Sequence, residues 1–246
     1  MKIRHILLAG SLLLSACNLA TSADKPASAP NSTPVPATEA VSNPTPIPTS
    51  TLFRDDFDAT LEDGWAWQNE DPAHWSLNAR PGWIEITVQP GHISTGNYSN
   101  LLLRLAPAED FQIEASLEFE PVANFQFAGL VVYQSDVDFL QAGRAYCQPS
   151  GTCIGSGLYF DNYSRNKIQS SNLAAPYEAG KLIYLRLQRK GDTYTFFTSQ
   201  DGISWTEMGQ HQNGLEPLLV GLVADQNNDG LPIPAHFGYF QITRLE

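Results

Sequence analysis

Carboxylates, amphipathic aromatics and one acidic loop are the residues here whose types and spacing could do chemistry. Glu118 and Glu120 fall on one side of an alternating run, about 6.6 Å apart along an extended chain. Two carboxyl groups about 5–9 Å apart across one sugar are what glycoside hydrolysis needs, so this pair is the catalytic candidate. A solvated strand face carries the same pattern with no chemistry at all. Trp67, Tyr133, Tyr159 and Tyr163 are candidates for sugar contact, because the apolar C–H face of a sugar stacks on an aromatic ring. Gln141, Arg144 and Asp161 lie close by in sequence and could read hydroxyl groups. Asp225-Gln-Asn227-Asn-Asp229-Gly230 offers oxygen ligands at alternate positions and a glycine for the bend, which is the first half of a calcium loop. Its twelfth position is His236 rather than the closing glutamate, and a solvated turn would look the same. His74, His92, His211 and His236 are scattered, and no nucleophile elbow, phosphate loop or zinc-ligand spacing occurs.

The elements that must position these groups read as short strands. Ile84–Val88 alternates, as does Ile113–Phe119, where Ile113, Ala115, Leu117 and Phe119 share a face. Ala128–Tyr133 is continuously apolar, as expected of a strand covered on both faces. Ile183–Arg189 and Thr193–Thr198 flank Lys190-Gly191-Asp192, a hairpin with a glycine-containing turn. Val220–Ala224 and His236–Thr243 supply late strands, and no long 3.6-residue apolar period appears. Many short strands without intervening helices predict an all-β fold, an antiparallel sandwich or barrel. In Ser199-Gln-Asp201-Gly202-Ile-Ser-Trp205 the aspartate is expected to accept backbone N–H groups, with the tryptophan packing beneath.

The chain has 246 residues and a formal charge of -12. So acidic a surface disfavours nucleic acid and anionic lipid headgroups, and suits neutral glycans or bound cations. Residues 1–16 read as an export signal. Lys2, Arg4 and His5 precede the apolar run Ile6–Leu14, which is too short to span a bilayer. Leu14-Ser15-Ala16-Cys17 resembles the lipobox of bacterial lipoproteins, and that resemblance implies a lipid on Cys17. An ordinary secretory signal is the alternative, and both take the chain out of the cytoplasm. Residues 17–51 read as a Pro/Ser/Thr-rich tether with almost no large apolar side chains, and residues 52–246 as one domain. In an oxidising compartment Cys147 and Cys153 are expected to form a disulfide closing a hairpin tip.

Phe57, Trp65-Ala-Trp67-Gln-Asn69-Glu-Asp71-Pro72, Trp75-Ser-Leu77 and Pro81-Gly82-Trp83 stand in an order that carries on through Ala128-Gly129-Leu-Val-Val-Tyr133 to Tyr194–Trp205 and Phe237-Gly-Tyr239-Phe240. The ordered set resembles the concanavalin A-like lectin/glucanase sandwiches, above all the modules appended to family 43 glycosidases and the domains of unknown function 1349. The resemblance implies a jelly-roll of two antiparallel sheets over residues 52–246. Catalytic members resemble Glu-x-Asp-x-x-Glu on one strand, and Glu118-Phe-Glu120-Pro121 lacks the third carboxylate. The resemblance also implies a structural calcium near the termini, for which Asp56 and Asp58 are the matching residues. The expected function is a surface-tethered, non-catalytic glycan-binding module on the outside of a bacterial membrane. A structural or protein-interaction module of the envelope, and a hydrolase or lyase on the same fold, are the alternatives.

Overall fold

The computed structural model describes residues 49–169, 173–177, 180–217, 219–226 and 230–245. Cys17 with its lipobox, the tether as far as residue 48, Asn227 and Asp229 lie outside the described residues. The chain divides into two units, Met1–Pro44 and Thr45–Glu246, and every described residue belongs to the second.

Among the described residues this unit has seventeen strands and two single-turn 3-10 segments. In chain order the strands are β1 (Thr49–Asp55), β2 (Ala66–Gln68), β3 (Trp75–Ser76), β4 (Ile84–Thr87), β5 (Gln89–Pro90), β6 (Leu101–Leu105), β7 (Phe111–Glu118), β8 (Gln126–Ser135), β9 (Asp138–Ser150), β10 (Cys153–Ser164), β11 (Lys167–Ile168), β12 (Leu173–Pro176), β13 (Leu182–Lys190), β14 (Thr193–Ser199), β15 (Thr206–Gln212), β16 (Leu219–Gln226) and β17 (Pro234–Leu245). One sheet runs β15-β14-β13-β7-β17-β4-β3, with β1 also paired to β17. The other runs β11-β10-β9-β8-β16-β6-β2, with β12 on β10 and β5 on β16. Among the described residues no helix is long and apolar enough to cross a membrane.

Alternation within the strands builds the core. Ile113, Ala115 and Leu117 of β7 join Leu185 and Leu187 of β13, and meet Leu130, Val132, Leu140, Phe160 and Leu222 from the second sheet. The two faces differ in what lies outside them. On β7 the outward Glu114 takes the Arg186 guanidinium at 2.6 Å. On the nine-stranded sheet the outward side chains form a second buried cluster that includes Phe127, Val131, Phe139, Tyr159, Tyr163 and Val223, covered by Ile93 and Tyr98. This explains the unbroken burial of Gln126–Tyr133: apolar layers lie on both sides of β8.

The sequence places the start of the domain at residue 52, but the first strand begins at Thr49. Thr49, Ser50 and Thr51 pair with Leu245, Arg244 and Thr243. These residues follow Pro48, the last proline before the domain, and hydroxylated side chains suit an exposed strand pairing.

Candidate pocket on the outer face of the nine-stranded sheet

Across β10, β9, β8 and β16 the outward positions fall in register. Asp161 stands opposite Gln141, and Tyr159 opposite Gly143, which faces Gly129 and then Val223. The next row ends in Phe127 and Asp225. A Cβ on Gly129 or Gly143 would meet the backbone oxygen of the other strand at 2.3 or 2.1 Å, so glycine is required at both positions. With no side chains in the middle of the face, the rows around it wall a hollow.

Its roof is brought over by β5, which runs parallel to the end of β16 and pairs Gln89 with Asp225. Gly91 then turns at φ +132°, where a Cβ would come within 2.0 Å of the Asn97 carbonyl oxygen. That turn delivers His92 and Ile93 across the sheet. The result is a cavity of about 150 Å³ lined by His92, Phe127, Gln141, Tyr159, Asp161, Tyr163 and Asp225, with the disulfide hairpin and Leu173 closing the sides.

His92 is 5% exposed. Its Nδ1 accepts the Ser94 backbone N–H at 3.2 Å, so the neutral ring carries its proton on Nε2. That nitrogen lies 3.4 Å from Tyr163 Oη and 3.5 Å from Gln141 Nε2. Burial lowers the His92 pKa to about 4. Tyr163 stacks on Phe139 with centroids 4.4 Å apart and planes at 10°. Tyr159 presents its ring to the cavity while its hydroxyl is spent on the hairpin, donating to Gly155 O at 2.8 Å and accepting from Ile154 N–H at 3.0 Å.

The two acids are both shifted toward the neutral form. Asp161 is half-buried; desolvation raises its pKa to about 6 against the Gln141 amide, which donates to it at 3.4 Å. Asp225 is 3% exposed, and neither of its oxygens makes a hydrogen bond of good geometry. Desolvation raises it to about 8; the neighbouring Ile93 N–H opposes the shift and the charge of Asp161 adds to it.

Of the residues named from the sequence, the structure brings Gln141, Tyr159, Asp161, Tyr163 and Asp225 into this cavity together. Arg144 is elsewhere. It lies an odd number of residues from Gln141 and so points to the opposite face, donating to the Gly180 and Lys181 carbonyls at 3.2 and 3.4 Å. Tyr133 shares the outward face but is locked, its hydroxyl donating to Asp136 at 2.8 Å and accepting from Gln68 at 3.1 Å. Trp67 packs on Trp75 with centroids 4.8 Å apart, against the inter-sheet core. His92 of the cavity escaped the sequence reading as a ligand group, and its neighbourhood carries no signal beyond Gly91.

The catalytic candidates lie on the other sheet. Glu118 is held by Arg80 at 2.7 Å and Glu120 by Lys181 at 3.1 Å. Asp56 is occupied by the Arg54 guanidinium, with Nε at 3.0 Å from both carboxylate oxygens, which does not suit a calcium ligand. Its neighbour Asp55, not Asp58, organises that corner: buried, it accepts the N–H groups of Phe57 and Glu62 and the Trp65 indole at 2.8, 2.9 and 2.8 Å. Asp225 is a strand residue facing the cavity rather than a loop ligand. Among the described residues no three His, Cys, Asp or Glu side chains are grouped to hold a metal. Asp201 does accept the Ile203 and Ser204 N–H groups at 2.8 and 2.7 Å, which hold its pKa well below the usual range. Trp205 packs beneath the Arg186 guanidinium at 3.7 Å. Cys147 and Cys153 are disulfide-bonded across the β9–β10 turn.

Comparison with known proteins places this sandwich. The family model for the β-xylosidase C-terminal concanavalin A-like domain matches residues 54–243. A xylan 1,3-beta-xylosidase from Vibrio sp. is 28% identical over 196 residues, covering 77% of this chain and 35% of the relative. The chain thus spans about a third of the length of the curated relative it matches. The GH43 protein BlXynB from Bacillus licheniformis superposes with a TM-score of 0.69 at 21% identity, over 77% of this chain and 38% of that one. A β-glucanase from the same organism shares the fold at a TM-score of 0.53 and 9% identity, over 77% of this chain and 96% of that one. With its family model matched over most of the described sandwich, the chain belongs to the β-xylosidase C-terminal concanavalin A-like domain family.

Proposed function

We propose that the domain binds a short stretch of glycan, without cleaving it, in the cavity on the outer face of the nine-stranded sheet. The observation that carries this reading is the cavity itself: aromatic walls from Tyr159, Tyr163 and Phe127 beside the polar groups of Gln141, Asp161 and His92. Ring-sized hollows with apolar walls and few polar groups are the usual form of small-ligand sites. The name of the Vibrio relative, which acts on a xylan, points the same way. The proposal sets this module outside a bacterial membrane, held by a lipid on Cys17 and spaced from the surface by the residues from 17 up to the first strand at Thr49. At about 3.1 Å per residue, an extended tether of this composition reaches up to ~100 Å.

The test is a glycan binding screen on the purified protein, with calcium and with chelator, reading product release beside binding. Specific binding without turnover, lost in Ala145→Leu with the fold intact, supports the reading, because Ala145 also lines the cavity and a leucine there fills it. Turnover replaces binding with catalysis. Binding to no glycan moves the module to the protein-interaction alternative. Loss of binding with chelator assigns a cation to the site. Metabolic labelling with an alkyne fatty acid, absent in Cys17→Ala, tests the anchor.

A further inference from the structure

The residues lining the cavity include two carboxyl groups and no lysine or arginine. Three of the buried acceptor atoms they carry, both oxygens of Asp225 and Oε1 of Gln141, make no hydrogen bond of good geometry, the Ile93 N–H being the weak neighbour of Asp225. A buried acceptor left unpaired costs its desolvation penalty in full. Few donors share that space, and none is charged: Gln141 Nε2 is turned to Asp161 and the Tyr159 hydroxyl serves the hairpin, which leaves His92 Nε2 and the hydroxyls of Tyr163, Tyr146 and Thr152.

This imbalance selects among sugars. A hydroxyl donates once and brings lone pairs that need donors of their own. A protonated amine brings three donors, a positive charge and no acceptor. A single metal ion would answer the same shortage, but the two acids lie on β10 and β16 with β9 and β8 between them. At about 4.8 Å per strand their backbones are ~14 Å apart across the sheet and a further four residues apart along it, and among the described residues no trio of metal-binding side chains is grouped. A ligand that answers both acids is therefore larger than one ion. His92 offers no opposing charge, because burial keeps its ring neutral at physiological pH. The Tyr159 and Tyr163 phenols are pushed up by burial and stay uncharged as well.

Resting on the reading that the cavity holds a glycan, we infer that the sugar it takes is an amino sugar with a free amine. Asp161, the more exposed acid, is the ammonium partner, and the buried Asp225 carboxyl behind it supplies acceptor oxygens rather than charge. Net charge agrees at long range, since the chain carries -12.

Calorimetric titration of the full protein with tetramers of glucosamine, N-acetylglucosamine and xylose tests this at near-physiological salt, with tetralysine as the charge control. The expected result is that the glucosamine tetramer binds at least ~10-fold more tightly than its acetylated counterpart, the scale of one charge-assisted hydrogen bond. Asp161→Asn should remove about that factor and flatten the salt dependence of binding, and Asp225→Asn, which trades an acceptor oxygen for a donor, should weaken binding and leave its salt dependence unchanged. Neutral tetramers binding as well as the amine overturn the inference and leave the glycan reading standing. Tetralysine binding as tightly as the glucosamine tetramer also overturns it, by reducing the effect to charge alone. Binding to none of the tetramers removes both.

Discussion

Replacing Asp225 with asparagine should stabilise this protein at neutral pH and leave it unchanged in acid. In the folded chain the Asp225 carboxyl is raised to about 8, chiefly by desolvation. In an unfolded chain an aspartate titrates near ~3.9. Below that value both states hold the proton and Asp225 carries no penalty. As the pH rises toward 8 the unfolded chain releases a proton that the folded chain keeps, so stability falls by about 1.4 kcal/mol per pH unit. By pH 7 the loss amounts to ~4 kcal/mol. Asparagine mimics the neutral acid in shape and cannot ionise. The variant should therefore match the parent near pH 4 and exceed it by up to ~4 kcal/mol at pH 7, roughly 10 °C in Tm for a domain of this size. His92, lowered to about 4, adds its own loss of stability in acid, but equally to both proteins, so the difference between them isolates Asp225. Urea unfolding of both proteins at pH 4, 5.5 and 7 reads the gap directly. A gap that does not widen with pH, or a variant less stable throughout, would mean that Asp225 is ionised and paired, and the account of the cavity would fail with it.

Asp55→Ala should cost about 3 kcal/mol in the same unfolding assay, because it strands three donors at one buried corner, the Phe57 and Glu62 N–H groups and the Trp65 indole. Cys153→Ser should cost about 2 kcal/mol, the chain-entropy value for so short a ring, and reductant should lower the parent's stability to match it. Glu118→Gln should change stability by less than ~1 kcal/mol, since its partner Arg80 is a partly exposed surface pair, and should leave glycan binding and any turnover untouched. Binding abolished by that substitution would move the site to the opposite sheet.

The strands that the sequence shows best are those with one wet face. On β7 the alternation of Ile113, Ala115 and Leu117 with charged partners is plain, and the hairpin of β13 and β14 is marked by its glycine turn. The long strands β9 and β10 are far less legible, although they carry most of the cavity. They are buried on both faces, so Leu140, Ala142 and Phe160 on one side alternate with Phe139, Ala145 and Tyr159 on the other, and the polar–apolar period vanishes. Gln141 and Asp161 interrupt that pattern because they line a hollow, which a sequence does not mark.

Register explains why the ligand set was half resolved. The disulfide fixes the β9–β10 hairpin, and counting outward from Cys147 and Cys153 gives each cross-strand partner, provided the ladder is regular. It is not: pairing shifts by one residue between Cys153 and Gly155. A one-residue slip exchanges the faces of a whole strand. Counting straight from the Cys153–Ser150 pair at the turn would therefore set Asp161 against Ala142, a core position, and turn it inward. The observed register, with Gly155 opposite Cys147 and Asp161 opposite Gln141, keeps both polar groups outward. Arg144, close to Gln141 in sequence, is excluded by parity alone. His92 reaches the cavity from a different segment, through the parallel pairing of β5 with β16 and the turn at Gly91, which only the assembled sheet makes possible. The chemistry of the site thus depends on one bulge and one glycine. Filling the bulge or replacing Gly91 should abolish the cavity while leaving the inter-sheet core of Ile113, Leu130, Leu185 and Phe237 packed as before.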